Sequence, residues 1–229
     1  TPMDQSRDRF NEAHEVILKA WSDGPVTHAG KYRNLRGVNV LPKPLQRPHP
    51  PIHVACIMSE ESFRFAGAHG YNLMYVPYVG TPELASERIG WYRDALVQAG
   101  HDPATRDIMM ALHFFAGESA THAREFPRQP LKNYLAYAAE ANQSDADQSQ
   151  YKGYGGIGKI FTQLSANYEI MYPNHVIFGD AEQCLRRIAE YEAMGATHLS
   201  LITNFGGMPH EEIMRSLERF ARDVMPGIS

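Results

Sequence analysis

Cysteine is scarce in this chain: two in 229 residues, Cys56 and Cys184, far apart. Neither belongs to a CxxC pair, so a zinc site has no support, and both read as reduced, buried thiols. An excess of one charge is also missing. Lys and Arg number 22 against 26 Asp and Glu, a net charge of −4, which leaves no basic footprint for nucleic acid. No apolar run approaches the roughly 20 residues that cross a bilayer, so no membrane helix is expected. The first residues, Thr1-Pro2-Met3-Asp4-Gln5, carry neither the basic start nor the apolar core of a signal peptide, and the expectation is a cytoplasmic protein. Eleven histidines are present, but there is no His-Glu-x-x-His and no His-x-His on an apolar run. His49 and His53 are four apart, yet the prolines between them forbid a shared helical face, and no metal is expected. No GxGxxG opens the first strand-to-helix turn, so a dinucleotide-binding sheet is not supported.

What is present is organised around residues 50–62. A short apolar run over 52–57 reads as a buried strand. Ser59 follows as a helix N-cap candidate, with Ser62 three residues on and Phe63, Phe65 and Ala66 at helical spacing behind it. A strand running straight into a capped helix is a βα unit. Its top presents free N–H groups and the positive end of a helix dipole, where a phosphate can bind. By spacing alone, capping is the commoner use of a serine at this spot.

The rest of the chain alternates. An amphipathic helix over 6–22 is followed by a hairpin-like excursion over 26–40. Five prolines over 42–51 then forbid a helix and suggest an extended lead-in. Further strands are expected over 71–76, 108–115 and 198–202. Helices are expected up to His69, from Pro82 behind a Thr81 cap, near Glu118, over 131–142, 160–171 and 181–194, and from Pro209. The polar stretch 143–150 reads as mobile. Gly153, Gly155, Gly156 and Gly158 read as a loop or lid tip, since they follow no strand and lack a P-loop's Lys-Ser/Thr ending. Strands alternating with helices predict an α/β fold with a parallel sheet. Four βα units are half of an eight-fold barrel; a small open sheet is the alternative. The chain is read as one domain over 1–229, with 116–178 an insertion region.

Four stretches carry a family resemblance. They are Met3-Asp4-Gln5-Ser6-Arg7-Asp8-Arg9-Phe10 with Ala20-Trp21, the lead-in Leu41-Pro42-Lys43-Pro44-Leu45-Gln46-Arg47-Pro48-His49-Pro50-Pro51-Ile52, the Ser-Glu-Glu-Ser turn at 59–62 with its helix to Gly70, and Phe178-Gly179-Asp180 with Phe205-Gly206-Gly207-Met208-Pro209-His210-Glu211-Glu212. Together they resemble the luciferase-like flavin-dependent monooxygenases. The resemblance implies a (β/α)8 TIM barrel, of which this chain supplies about the second half. It implies a flavin oxidoreductase, a monooxygenase using reduced FMN and dioxygen on a small organic substrate, with a flavin reductase as partner; some members use F420 for hydride transfer instead. It carries Ser59 and Ser62 onto the turn that holds the flavin phosphate, with Met58 and Glu60 beside them. The stretch Cys56-Ile57-Met58 departs from the small residues usual there.

At the carboxyl ends of the expected strands, Tyr78, His113, Thr203 and Asn204 are the substrate-pocket candidates, with Pro77 and Phe115 as walls. Thr203 to Gly207 is the rival phosphate loop. His53 and His113 sit in apolar strands, where a satisfied core histidine is the commoner case. No catalytic residue is assignable. A half-barrel leaves parallel edges unpaired, so homo-oligomerisation or completion by an N-terminal half is expected. The competing reading is a non-catalytic half-barrel serving as a dimerisation module.

Overall fold

In the structure, a computed structural model, the first fifty residues form a compact unit of their own. Residues 5–78, 80–142 and 157–228 are described. Residues 5–52 make one unit, and 53–142 with 157–228 the other. The 143–150 stretch and Gly153, Gly155 and Gly156 lie outside the described residues.

The smaller unit holds helix α1 (Ser6–Trp21) and an antiparallel hairpin, β1 (Val26–Ala29) and β2 (Asn34–Val38). Glu12 on α1 accepts the N–H groups of Tyr32 and Arg33 at the hairpin turn. Burial pushes its carboxyl up, but those donors and His28 outweigh it and hold it below the usual range. Lys43 donates to the carbonyls of Ala20 and Gly24, tying the proline-rich segment to the end of the helix.

The larger unit is a parallel sheet with helices between its strands: β3 (His53–Cys56), α2 (Glu60–Ala68), β4 (Asn72–Tyr75), α3 (Pro82–Gln98) and β5 (Ile108–Ala116) come first. Next are the helices α4 (Ala120–Glu125), α5 (Arg128–Ala141), α6 (Ile157–Ala166) and α7 (Tyr168–Asn174). The chain closes with β6 (Val176–Gly179), α8 (Ala181–Ala193), β7 (His198–Ile202) and α9 (His210–Arg219). Every pairing in this sheet is parallel. Strand β5 is its hub. It pairs with β4 over 108–110, with β7 over 109–113 and with β6 over 113–116. At its carboxyl end the Ala116 N–H donates to the Ser216 hydroxyl at 2.8 Å, and Arg219 donates to the Ala116 carbonyl, so side chains of α9 finish the strand.

Two expectations are corrected. The parallel sheet has five strands, not the four expected. The run Val176-Ile177-Phe178 is fully buried and pairs with β5, but at four residues it is too short to separate from a helix lead-in by periodicity. The single helix expected over 160–171 is two helices, α6 and α7, broken at Asn167, whose ψ of 75° leaves the helical region. The expected 116–178 insertion holds α4 to α7, and its last residues already belong to β6.

The period of two in β5 divides the core. Met110, Leu112 and Phe114 face one way, with Phe63, Tyr92, Leu96, Cys184 and Tyr191 from α2, α3 and α8. Phe115, on the alternate face with His113, meets Leu131 and Leu135 of α5, Met171 of α7, and Phe178 and Phe205. A strand buried on both faces is what a parallel sheet covered on both sides requires. Gly67 lets α2 and α3 approach: a Cβ there would overlap the Tyr92 carbonyl and the Ala95 methyl. Among the described residues no helix is long and apolar enough to cross a membrane, and no group of three or more His, Cys, Asp or Glu could hold a metal ion.

Candidate functional site

The carboxyl ends of parallel strands are where such sheets bind ligands. Here they carry two features. The first is the start of α2. Ser59 occupies the N-cap position with φ −74° and ψ 114°, but its hydroxyl makes no capping bond. Ser59 thus holds the expected N-cap position without a side-chain cap: the first turn closes through its carbonyl, which accepts from the N–H groups of Ser62 and Phe63. Ser59 and Ser62 are half-buried, as is Met58. Glu60 is exposed and held at 2.6 Å by Arg64 one turn on, so its charge is offset within its own helix.

The second feature is an aromatic chamber around His113. Its ring is 0 % exposed. The Tyr78 hydroxyl lies 2.5 Å from Nδ1, and the two rings stack at 5.4 Å. Tyr134 and Phe205 meet the imidazole edge to face, with centroids at 4.4 and 4.7 Å. Phe178 stacks on Phe205 with an interplanar angle of 8°. Burial pushes His113 down to about 3 and lifts the Tyr78 phenol far above its ordinary range. The imidazole is therefore neutral. Its Nε2 is buried with no hydrogen-bond partner. His175 lies on the neighbouring strand entry, its Nδ1 3.0 Å from the Pro77 carbonyl, and burial lowers it too.

Of the four pocket candidates, Tyr78 and His113 come together. Thr203 is half-buried and Asn204 exposed on the β7–α9 loop, and it is Phe205, the next residue, that enters the chamber. The Asn133 side chain donates to the Gly206 carbonyl, and a Cβ on Gly206, whose φ is +55°, would overlap the Pro130 carbonyl. That close approach sets Phe205 against His113. Sequence reasoning missed Tyr134, Phe178 and Phe205. The signal for Tyr134 was its place between Leu131 and Leu135 on one face of a helix. The signal for Phe178 was an apolar run just before Asp180, whose capping box with Gln183 marks a helix start.

Comparison with known proteins adds to this geometry. The model of the luciferase-like monooxygenase family matches residues 1–198. The oxygenase component of a flavin-dependent trigonelline monooxygenase from Acinetobacter baylyi is 28 % identical over 228 residues, covering 96 % of this chain and 60 % of that protein. Among solved structures, the monooxygenase RslO1 from Streptomyces bottropensis is 27 % identical, with a TM-score of 0.71 over 98 % of this chain and 62 % of that one. The oxygenating constituent of 3,6-diketocamphane monooxygenase from Pseudomonas putida, solved with FMN, shares the fold at 19 % identity and a TM-score of 0.67, over 97 % of this chain and 64 % of that one. An F420-dependent secondary alcohol dehydrogenase does so at 19 % and 0.71, over 99 % of this chain and 63 % of that one. The chain thus spans about three fifths of the length of these relatives.

Proposed function

The chain belongs to the luciferase-like monooxygenase family, and on that premise we propose that it is part of a flavin-dependent monooxygenase acting on a small organic substrate. The supporting observation is that α2 starts just after the carboxyl end of β3, while Tyr78 and Phe205 bring the segments that follow β4 and β7 onto His113. In this reading a TIM barrel is the completed fold, and a separate reductase supplies the reduced flavin. FMN is the cofactor proposed; F420 is the alternative.

A bound reduced flavin would supply the electrons that activate dioxygen for insertion of one oxygen atom into the substrate. The chain's own residues have three tasks. The Ser59 hydroxyl, uncommitted as a cap, and the positive dipole end of α2 fit the phosphate end of the cofactor, which needs a donor and a positive field. Ser62 stands on the same turn. Arg64 draws the Glu60 carboxylate onto its own helix, which reduces its repulsion of an arriving phosphate. The rings of Tyr78, Tyr134, Phe178 and Phe205 exclude water from the chamber, where a reactive intermediate would otherwise be lost to hydrolysis. Thr203 and Asn204 stand at the rim.

The test is a fluorescence titration of FMN with the 229-residue polypeptide. Saturable quenching is expected, with Ser59→Ala weakening it roughly tenfold or more, the scale of one hydrogen bond to a charged group. A chain that leaves FMN fluorescence untouched while it self-associates would favour the non-catalytic half-barrel instead.

A further inference from the structure

The unpartnered Nε2 of His113 is the one atom of the chamber that burial alone does not account for. Counting donors fixes its protonation. Among the described residues, Tyr78 Oη has a single hydrogen-bond neighbour, Nδ1 of His113. If Nδ1 donated to the phenol, the phenol's own proton and the lone pair on Nε2 would both be buried without partners. If Tyr78 donates to Nδ1, only one orphan remains, the N–H on Nε2. The second arrangement leaves fewer unmet groups, so the neutral Nε2–H tautomer is the one the geometry selects.

A buried donor without an acceptor costs stability, and one that a fold keeps calls for a specific account, of which a functional role is one. The donor carries no formal charge, which suits a carbonyl oxygen better than a carboxylate that would have to shed its water without a counter-ion. The rings around it, with Phe178 and Phe205 parallel and stacked on each other, make an aromatic lining that favours a flat partner.

We propose that His113 is the specificity-determining donor of this site, its Nε2–H, set by Tyr78, taking a carbonyl oxygen conjugated to a flat ring. This rests on the flavin-monooxygenase reading for the sources of that oxygen: the flavin ring itself or the organic substrate. Tyr78 is the positioning residue, acting through Nδ1.

The experiment uses the full chain with 15N-labelled histidine. In the ligand-free protein the His113 resonances should report a proton on Nε2 and none on Nδ1, and Tyr78→Phe should convert this to a tautomer mixture. FMN and acetophenone are then added separately, with ethylbenzene as the matched ring lacking the carbonyl. A shift of the Nε2 resonance with FMN assigns the acceptor to the flavin, and a shift with acetophenone assigns it to the substrate. In the latter case acetophenone should bind about tenfold more tightly than ethylbenzene, with His113→Phe erasing the preference. A proton found on Nδ1 overturns the proposal. So does an Nε2 resonance that neither carbonyl compound moves, even where FMN fluorescence is quenched; the nitrogen is then a packing atom facing the rings of Tyr134 and Phe205. If acetophenone moves the resonance and FMN does not bind, the donor stands and the flavin reading falls.

Discussion

A neutral imidazole inside an aromatic chamber must take up a proton when the chain unfolds below its ordinary pKa. Burial holds His113 at about 3 in the fold, against 6.5 for the free group. Between those values the unfolded chain binds more protons than the folded one, so stability falls as pH falls from 6.5 towards 3 and the contribution is fully present above 6.5. The slope for one such group is about 1.4 kcal/mol per pH unit. His175 is lowered by burial and adds in the same direction. Urea unfolding at several pH values between 6 and 4 should show His113→Phe flattening the dependence by about one proton; parallel curves for the two proteins would refute it. Nothing in the sequence around His113 separates this histidine from His53, which also lies in an apolar run. His53 is exposed while His113 is fully buried. The difference lies in position within the sheet: β5 is a central strand, and β3 pairs only with β4 among the described residues.

Between residue and molecule, the β7–α9 loop does for the chamber what no single side chain does. Gly206 combines a left-handed φ with a backbone approach that leaves no room for a methyl group beside Pro130. Gly206→Ala should therefore push the loop off α5 and withdraw Phe205 from His113. The expected outcome is a folded protein, with far-ultraviolet circular dichroism retained, that is destabilised by about 1–3 kcal/mol and has an altered His113 resonance. Unchanged stability would mean that the loop does not rest on α5. Such loops are legible in sequence as Gly-Gly punctuation, but the element they lean on is not. Helix α5 lies some seventy residues upstream, and the contact is made only once β5 has placed both. The missed strand β6 has the same origin. Its four residues carry too little pattern to identify themselves, and they become a strand because the end of β5 offers them a partner.

At the scale of the molecule, the larger unit has unfinished edges. Among the described residues β3 pairs only with β4 and β7 only with β5. An apolar groove of about 380 Å³ runs beside β7, lined by Leu199, Leu201, Ile188 and Phe220. In the smaller unit Leu45 is 96 % exposed. Unpaired parallel edges template association, so we propose that the 229-residue polypeptide, made on its own, self-associates. Light scattering after size exclusion should give a mass above one chain. A monomer with strand amides protected from exchange in both β3 and β7 would show that these edges are covered from within the chain.

The sequence by itself determined the local elements whose signals are local: α1 by its apolar period, α3 by Thr81 and Pro82, the long strand β5, and the order of strands and helices that requires a parallel sheet. The four resembling stretches carried the family for the same reason, because each is a contiguous run. What only the tertiary structure decided is the chamber. Tyr78, His113, Tyr134, Phe178 and Phe205 come from five separate elements or loops, and their rings meet because β5 is buried on both faces with its odd-numbered side chains turned towards α5 and the β7–α9 loop. A buried nitrogen with no partner is a statement about everything that surrounds it, and no stretch of sequence contains that surrounding.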